Sequence, residues 1–492
     1  MALWSLVYRL LVLCLLWLAV KVLYRLFFHP LRNIPGPLLA RASVQWLIFH
    51  DLAGTRATSL HDAHEKYGPI IRIAPDELSF SDPAVIKEIY SQGTALLKSP
   101  FYSGLNEGLP NLFDGIDRAA HKERRKLLGH AFARSSILDA EPLVTEQIEK
   151  FLTWVRRKEG TPMNVYAWFR MLSLDIVSSL LMGQSVGALD SDTEHPYLSN
   201  LDNHLIISGV RWQLPYLLPL TSWIPVPRWQ YFLTSQRRLY EYGKRTFDVY
   251  IAKYGRNGQR NDLLKRVLVG DKTVKPLTDE EICAEIGSQM IGGTDTTSTT
   301  LTYTAWELAK QPKLQEEMRR ELRTARSHAE SDVLRYADLE ALPFLDAVIM
   351  EGLRRHPAAP SSLPRVVPKG GVSLAGIWVP EGTTVSMMNF STHHNRDAFP
   401  QPFAFDPTRW LKTNGGTPEM KEAYMPFSKG SRMCIGIHLA VMELKMILAT
   451  IVSSWDLRVG KRTTDGTMAM TDHFVLMPMG GFCELYLNKV KA

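Results

Sequence analysis

The residues with the clearest chemical potential form a short loop near the C-terminal end of the 492-residue chain. Cys434 lies in the stretch FSKGSRMCIG (427–436), and the apolar run after it predicts a helix from 437 to 452. The glycines of this stretch permit tight backbone turns around the sulfur. Arg432 and the N-terminus of the predicted helix supply positive charge, which favours a thiolate over a thiol.

A buried thiolate needs a partner, and a metal ion is the usual one. No second Cys or His stands at a spacing typical of zinc sites. A single thiolate instead suits haem iron, where it favours cleavage of the O–O bond. The alternative is a glycine-rich loop around a buried structural cysteine. Cys434 taken alone favours that alternative, but the ten-residue pattern around it does not.

A second unusual segment lies in the middle of a long predicted helix. Thr278 and Glu281 have the spacing of a capping box, and the helix is expected to run to about Lys310, before Pro312. Its centre has the sequence GGTDTT (292–297), in which each interior glycine costs roughly 1 kcal/mol relative to alanine. We therefore expect this segment to open the helix toward a ligand, a structural kink being the alternative.

These two segments are the strongest part of a wider resemblance. The pattern Phe-x-x-Gly-x-Arg-x-Cys-x-Gly matches the haem-binding loop of the cytochrome P450 family, and the chain resembles that family over essentially its full length. Further family motifs follow in family order: His-x-x-x-Arg at 121–125, Gly-Gly-Thr-Asp-Thr-Thr at 292–297, Glu-x-x-Arg at 351–354 and Phe-x-Pro-x-Arg-Trp at 405–410.

The resemblance implies a fold, a cofactor and catalytic residues. The expected fold class is mainly α with a small β region (α+β), the cytochrome P450 fold. The cofactor would be haem b, with Cys434 as the axial ligand of its iron. Thr296 would offer a hydroxyl to dioxygen, and Asp295 would feed protons to it through water. The residues implied to bind the cofactor are His121, Arg125, Gly292, Gly293, Arg365, Phe427, Arg432, Cys434 and Gly436.

Within that set, Gly292 and Gly293 would remove side chains over the flat cofactor. Arg125, Arg365 and Arg432 would hold the haem propionates. His121 replaces the aromatic residue that is commoner in the family, but it can still donate a hydrogen bond. Its other basic neighbours are expected mostly at the surface, as a solvated face or as a docking surface for a reductase: Lys122, Arg124 and Lys126.

Other residues receive supporting or substrate-contacting roles from the resemblance. Glu351, Arg354 and Arg409 are expected to form a structural ion-pair network, although Glu-x-x-Arg alone is common on helices. His393-His394 is a poor metal chelate, since adjacent residues on an extended chain face opposite ways, and it is interpreted as structural. Candidates for the substrate pocket are Phe101, Phe113, Gln289, Ser361, Leu363 and Met477; for Phe101 and Phe113 ordinary loop packing is the alternative.

The N-terminal segment from Leu3 to Phe28 is strongly apolar and predicts a retained transmembrane helix, a peripheral amphipathic helix being the alternative. The basic residues of its C-terminal flank place the body of the protein on the cytosolic side, and we expect the endoplasmic reticulum membrane. The expected organisation is a membrane anchor at 1–28, a proline-rich hinge at 29–40 and a haem-thiolate catalytic domain at 41–492.

Two short strands are predicted at Ile70–Ala74 and Glu77–Phe80, and a hairpin is predicted from the segments 372–379 and 383–388. Residues 101–117 are expected to form a loop that roofs the pocket. The segment 212–229 is expected to connect two roof helices, either dipping into the membrane or forming an ordinary loop.

The composition sets outer limits on function. The net charge of +7 is mild, and the chain has no basic run with interleaved aromatic residues, so nucleic acid is an unlikely partner. Four widely spread cysteines do not form a disulfide framework and fit a reducing compartment.

The leading hypothesis is a monooxygenase that hydroxylates or epoxidises an apolar small molecule. It would use dioxygen and electrons from an NADPH-cytochrome P450 reductase. Membrane lipid would surround its anchor. The N-terminal third looks like filamentous-fungal members of the family, many of which act in secondary metabolism. The alternatives are a haem-thiolate isomerase or dehydratase, which the intact Asp295-Thr296 pair disfavours, and a non-catalytic haem or lipid binder.

Overall fold

The computed structural model describes residues 2–105, 108–256, 262–269, 275–412 and 415–490. The elements of its N-terminal part are α1 (Ala2–Phe27), α2 (Leu38–Ala42), α3 (Gln45–Leu52), α4 (Arg56–Tyr67), β1 (Ile70–Ala74), β2 (Glu77–Phe80), α5 (Ile86–Tyr90), β3 (Leu97–Lys98), α6 (Phe101–Gly104) and α7 (Arg118–Gly129).

The middle of the chain is almost entirely helical. Its elements are α8 (Arg134–Asp139), α9 (Glu141–Arg157), β4 (Pro162–Asn164), α10 (Val165–Met182), α11 (Pro196–Gln213), α12 (Leu217–Thr221), α13 (Pro227–Leu233), α14 (Ser235–Tyr254), α15 (Leu263–Val269), α16 (Asp279–Lys310), α17 (Pro312–Ser327), α18 (Tyr336–Leu339) and α19 (Pro343–Arg355).

The C-terminal part holds most of the remaining strands. Its elements are β5 (Arg365–Val366), β6 (Val372–Leu374), β7 (Ile377–Val379), β8 (Thr384–Met387), α20 (Asn389–His393), α21 (Thr408–Lys412), α22 (Pro418–Ala423), α23 (Ile437–Ser454), β9 (Trp455–Val459), β10 (Met470–His473), β11 (Val475–Pro478) and β12 (Glu484–Lys489).

The strands form small sheets, which confirms the predicted minor β region. The largest has the order β1-β2-β8-β5-β3, and the others are β4-β12-β9, β10-β11 and β6-β7. Strands β1 and β2 are antiparallel and have the predicted bounds. The predicted hairpin between 372–379 and 383–388 is wrong: the first segment folds on itself as β6 and β7, whereas β8 pairs in parallel with β2 and antiparallel with β5. Burial explains this pairing, since Val385 and Met387 of β8 are completely enclosed there.

Helix α16 lies at the centre of the body of the protein and packs against α10, α14 and α23. The predicted capping box begins it, with the backbone N–H of Thr278 donating to Glu281 Oε2 at 2.9 Å. Helices α10 and α23 are apolar enough to span a membrane, but most of each is buried inside the protein. An enclosed helix needs no polar face, which accounts for their composition.

Helix α1 differs from those two because none of its apolar window is buried. Its residues Leu3–Phe27 have a mean hydropathy of 2.3, so the helix is long and apolar enough to cross a membrane. Its last turn is joined to the body of the protein by two hydrogen bonds. Arg25 Nη1 donates to the carbonyl of Ala42 at 2.9 Å, and Arg72 Nη1 donates to the carbonyl of Arg25 at 2.8 Å.

The proline-rich segment after α1 lies tightly against β1. The backbone N–H of Arg72 donates to Pro35 O at 2.7 Å, and a Cβ on Gly36 would lie only 2.3 Å from Arg72 O. Leu31 is buried in the cluster that covers the five-stranded sheet. These contacts fix the direction in which the chain enters the body of the protein. The three-part division at residues 28 and 40 stays a prediction.

Two predicted roof segments contain more helix than expected. Residues 101–117 begin with α6, and residues 106 and 107 of this segment lie outside the described part of the chain. The segment 212–229 holds the end of α11, all of α12 and the start of α13, with Tyr216, Leu220 and Trp223 strongly exposed. Tyr102 and Trp212 both contact Phe101, which joins the two segments.

Candidate active site

The cysteine loop is held by its own backbone. The N–H of Cys434 donates to the carbonyl of Phe427 at 2.9 Å, which closes the loop just before α23 begins. Gly430 has φ +71°, and a Cβ there would lie 1.8 Å from Tyr90 O, so only glycine fits. Gly436 is the N-cap of α23, and a Cβ on it would lie 3.9 Å from Cys434 Sγ. The free surface of the Cys434 side chain faces a cavity.

The electrostatics of this cysteine differ from the sequence-based expectation. Burial raises the pKa of the Cys434 thiol, while the backbone N–H of Gly436 and the charge of Arg125 lower it. Arg432 was expected to act on the sulfur, but its Nη1 instead donates to the carbonyl of Gly115 at 2.6 Å. The nearby cation is therefore Arg125, whose Nη1 donates to Met433 O at 2.7 Å.

One cavity of about 730 Å³ joins the cysteine loop to the centre of α16. Cys434, Gly292 and Thr296 all border it, so the two sequence segments face a common space. A Cβ on Gly292 would meet no atom within 4 Å, which means that its missing side chain leaves room in the cavity. Thr296 Oγ1 donates to the carbonyl of Gly292 at 2.7 Å, a bond that leaves its oxygen lone pairs open to accept.

Gly293 also borders the cavity, but its missing side chain has a different cause. A Cβ on Gly293 would lie 2.8 Å from Val177 Cγ2 of α10, closer than real carbon atoms approach. Its lack of a side chain is thus required by the tight packing of α10 against α16. Packing alone therefore explains the glycine at position 293, without the expected role of clearing space for the flat cofactor.

Asp295 faces α10 and is not part of the cavity wall. Arg170 Nε donates to Asp295 Oδ1 at 2.9 Å, and both side chains are buried. Burial raises the pKa of Asp295, and Arg170 lowers it. The same guanidinium also pairs with Glu194 and Asp202, whose side chains are partly exposed. A chain of charged groups thus leads from the surface to the residue beside Thr296.

Sequence reasoning missed Arg170. Its signal is a single cation inside VYAWFRMLSLDIVSSLLM, an otherwise almost entirely apolar helix. A buried arginine requires a carboxylate partner, and the only way to identify Asp295 as that partner is to know that α10 and α16 are in contact.

Four cations border the cavity, Lys98, Arg125, Arg365 and Arg432, and His121 borders it as well. In the described part of the chain, each of the four cations donates to a backbone carbonyl rather than to a carboxylate. Burial and the neighbouring arginines lower the pKa of Lys98 well below its usual value. Burial and then Arg365 lower the pKa of Arg432 to about 10. This concentration of positive charge suits a ligand with more than one carboxylate.

The His121 imidazole is neutral in this surrounding. Burial, followed by the charges of Arg432, Lys98 and Arg125, lowers its pKa to about 3. It therefore offers one N–H donor without adding charge.

Lys98 was not found from the sequence, because a lone lysine shortly before a proline and two aromatic residues carries no motif. Its Nζ lies 3.9 Å from the ring centroid of Tyr102.

The basic neighbours of His121 divide into two groups. Lys122 and Lys126 are exposed, as expected. Arg124 is not a free surface cation, because it forms ion pairs of 2.8 Å with both Glu281 and Glu285 on α16. Those carboxylates lie one helical turn apart and so can both reach a single guanidinium.

The predicted structural network is present, with Glu351 and Arg354 completely buried and Arg409 largely so. Arg354 donates to both oxygens of Glu351 at 2.9 and 2.8 Å, and Arg409 Nε donates to Glu351 Oε1 at 3.1 Å. Trp410 Nε1 donates to the same carboxylate at 2.9 Å. His393 is also structural, since its Nε2 accepts from the backbone N–H of Met425 at 2.9 Å.

The six substrate-pocket candidates divide evenly. Phe113, Gln289 and Leu363 border the cavity. The other three lie outside its wall: Phe101, Ser361 and Met477.

Each of these three has an evident reason for its position. Phe101 packs on Trp212, with ring centroids 5.6 Å apart. The hydroxyl of Ser361 donates to the carboxylate of Asp472. Met477 lies along β11, because the β10-β11 hairpin turns at Phe474, which has φ +77° and borders the cavity itself. Phe474 and Val475 of this hairpin therefore border the cavity, and Met477 does not.

Comparison with known proteins agrees with this geometry. A sequence model of the cytochrome P450 family matches residues 35–484. The chain belongs to the cytochrome P450 family.

Among its relatives is the cytochrome P450 monooxygenase tazI of Aspergillus terreus, 31% identical over 482 residues that cover 96% of this chain and 97% of the relative. The cytochrome P450 monooxygenase ORF9 of Penicillium roqueforti is 32% identical over 457 residues, covering 90% and 87%. An averantin hydroxylase of Dothistroma septosporum is 29% identical over 453 residues, covering 90% and 84%.

The family and the fold class predicted from the sequence are thereby confirmed, and the fungal relatives' names support the predicted monooxygenase role. Membership implies a thiolate-ligated haem. The residues present fit that group, because the cavity brings together a free cysteine sulfur, a side-chain-free stretch of helix at Gly292 and four cations suited to carboxylates.

Proposed function

We propose that the protein is a membrane-anchored cytochrome P450 monooxygenase of fungal secondary metabolism. It hydroxylates or epoxidises an apolar small molecule with dioxygen and with electrons from an NADPH-cytochrome P450 reductase. The observation that carries the proposal is the single cavity between the free sulfur of Cys434 and the open groove of α16 at Gly292 and Thr296.

The cofactor in this proposal is haem b. When bound, it would supply the activation of dioxygen and the insertion of one oxygen atom into a C–H or C=C bond. Cys434 would hold the iron through its thiolate, and Phe427 and Gly436 keep the cysteine loop in shape around the sulfur. Arg125, Arg365, Arg432 and the additional Lys98 would hold the propionates. His121 would donate a hydrogen bond there.

Thr296 and Asp295 are proposed as the catalytic pair. Thr296 Oγ1 borders the cavity and keeps its lone pairs available, so it can accept a hydrogen bond from a molecule in the cavity and orient that molecule. Asp295 Oδ2 is buried and has no partner among the described residues. Because burial raises its pKa, Asp295 can hold a proton at this oxygen. Arg170 connects Asp295 to the partly exposed Glu194 and Asp202, from which a proton can be replaced.

The substrate is proposed to be apolar. The cavity wall near the groove includes Leu105, Phe113, Leu239 and Leu363, with Val475 from the β10-β11 hairpin. An enclosed apolar wall favours a ligand that partitions out of water. Such a substrate also agrees with a protein held at a membrane.

The protein is proposed to reside in the endoplasmic reticulum membrane with its catalytic domain in the cytosol. Residues 1–28 form the anchor, residues 29–40 the hinge and residues 41–492 the catalytic domain. Membrane lipid would surround the exposed apolar surface of α1. Lys21, Arg25 and Arg32 follow the apolar core of the anchor, which favours retention of this side in the cytosol.

The haem-thiolate proposal is tested by a carbon monoxide difference spectrum of the reduced full-length protein. The wild type is expected to give the red-shifted Soret band of a thiolate-ligated haem, and Cys434→Ser is expected to lose it. Cys14→Ser is the matched control, because Cys14 is also free but lies exposed on α1. A Cys434→Ser protein with the wild-type spectrum would overturn the proposal.

Oxygen incorporation is tested separately with the reductase, NADPH and isotope-labelled dioxygen. Candidate substrates come from a host strain in which the gene is deleted, because the compound that accumulates is the one the enzyme consumes. A monooxygenase incorporates one labelled oxygen atom per product and consumes NADPH. Turnover of the accumulated compound without NADPH or labelled oxygen would indicate an isomerase or a dehydratase instead.

A further inference from the structure

His204 is a cavity-lining residue that the haem and oxygen chemistry does not use. It lies on α11, a helix that packs against α6 and α14, and these elements carry none of the haem-binding residues proposed above. Its side chain is 8% exposed and borders the same cavity as Cys434. The imidazole Nδ1 is buried and has no hydrogen-bond partner among the described residues.

An unpartnered ring nitrogen in this position needs an explanation. Buried polar atoms in folded proteins almost always have a hydrogen-bond partner, and each exception points to an additional ligand or water. Nδ1 itself is enclosed, but the side chain borders the cavity, so a rotation of the ring about its side-chain bonds brings this nitrogen within reach of a molecule there. The wall beside it is mostly apolar, with Leu105 and Leu239 as further members. A ligand here therefore buries carbon atoms and meets one ring nitrogen.

The neighbouring polar groups on α11 are already engaged. Ser208 lies one turn after His204, and its Oγ donates to the carbonyl of Leu105 at 2.8 Å. Arg211 Nη1 reaches the same carbonyl at 3.4 Å. These bonds tie α11 to the segment after α6, so His204 stands on a supported part of the wall.

The charge of the imidazole decides which ligand group it can bind. Burial, and then the charge of Arg211, lowers the pKa of His204 to about 4. The ring is therefore neutral near pH 7 and presents one N–H donor and one acceptor nitrogen. A neutral ring can bond to a hydroxyl or a carbonyl, but it gives a carboxylate no opposite charge to pair with.

We propose that His204 recognises one neutral hydrogen-bonding group, a hydroxyl or a carbonyl oxygen, on an otherwise apolar substrate. This inference rests on the proposed function, since it specifies the substrate class of that site. The residue fixes the direction in which the substrate lies in the cavity, and so contributes to the choice of the carbon atom that is oxidised. The substrate is thus a hydroxylated or carbonyl-bearing hydrocarbon skeleton rather than a plain hydrocarbon or an acid.

The test uses the full-length, haem-loaded protein and three matched probes: naphthalene, 2-naphthol and 2-naphthoate. Equilibrium dialysis gives the Kd of each probe for the wild type and for His204→Phe, which keeps an aromatic ring and removes both nitrogens. His328→Phe is the matched control, because His328 is exposed at the end of α17.

The quantity to compare is the Kd of naphthalene divided by the Kd of 2-naphthol, because this ratio cancels changes in apolar contact. The ratio is expected to fall roughly tenfold in His204→Phe, as for the loss of one buried hydrogen bond. It should stay unchanged in His328→Phe, and the Kd of 2-naphthoate should not rise in His204→Phe.

A ratio that is the same in the wild type and in His204→Phe would overturn the inference. An equal loss of affinity for 2-naphthol and 2-naphthoate would also overturn it, because the site would then not select a neutral group. The carbon monoxide spectrum of each variant is recorded in parallel. Failure of the proposed function appears as loss of the thiolate spectrum in the wild type, whereas failure of this inference leaves that spectrum intact.

Discussion

Glu443 provides a quantitative test of how the protein buries an ionisable side chain between α16 and α23. It lies on α23, is 1% exposed and has one carboxyl oxygen without a partner among the described residues. Burial raises its pKa from 4.5 to about 8, and a hydrogen bond with Thr297 of α16 partly opposes this change. Glu443 is therefore expected to be protonated in the folded protein at neutral pH.

The sign of the effect follows from the two states. Below about pH 4.5, Glu443 is protonated in both the folded and the unfolded chain, so its ionisation does not affect stability. Between about pH 4.5 and 8, the unfolded chain releases the proton while the folded protein keeps it, so stability falls as the pH rises. At 1.36 kcal/mol for each pH unit, the complete loss is about 5 kcal/mol.

The perturbation is Glu443→Gln, which keeps the shape and cannot ionise. Its free energy of unfolding relative to the wild type should increase by about 2–3 kcal/mol between pH 5.5 and 7.5. Urea unfolding of the full-length protein at several pH values measures this difference, with the exposed Glu316→Gln as control. A Glu443→Gln minus wild-type difference that is constant across this range would refute the reasoning.

Three further predictions concern packing and charge. Glu351→Gln should lower the free energy of unfolding by about 3–5 kcal/mol in urea unfolding, because it removes the charge that Arg354 and Arg409 share in a buried network. Lys98→Met should speed transfer of haem to apomyoglobin by about tenfold, measured by absorbance, if this cation holds a propionate; an unchanged rate would contradict that role. Gly293→Ala should destabilise by about 1–3 kcal/mol in thermal unfolding because of its contact with the Val177 side chain, and less when combined with V177A.

Local sequence signals were sufficient to predict the start of α16, strands β1 and β2, and the cysteine loop before α23. The capping box at Thr278 and Glu281 is a contact between residues three apart, so the sequence contains both partners. Strands β1 and β2 follow one another with a tight turn, and their alternating pattern is equally local. The glycine-bounded loop before α23 is also short enough for its spacing to define its shape.

Contacts between residues far apart in the sequence, and the exact position of a turn, could not be predicted in the same way. Asp295 pairs with Arg170, which is 125 residues away in the sequence, and only the packing of α10 on α16 brings them together. Strand β8 pairs in parallel with β2, about 300 residues earlier, which no local pattern could indicate. The tip of the β10-β11 hairpin depends on the positive φ of Phe474, which is unusual for a bulky residue and has no sequence signature.

The unfavourable composition at the centre of α16 has two separate causes. Gly292 and Thr296 lie one turn apart and border the cavity, so they share the face that meets the ligand. Gly293 and Asp295 instead meet α10, where the glycine admits Val177 and the carboxylate receives Arg170. The helix therefore gives up intrinsic stability both to form a ligand groove and to approach α10 closely. Since α10 supplies the arginine beside Asp295, this close approach also connects the proposed catalytic pair to the surface.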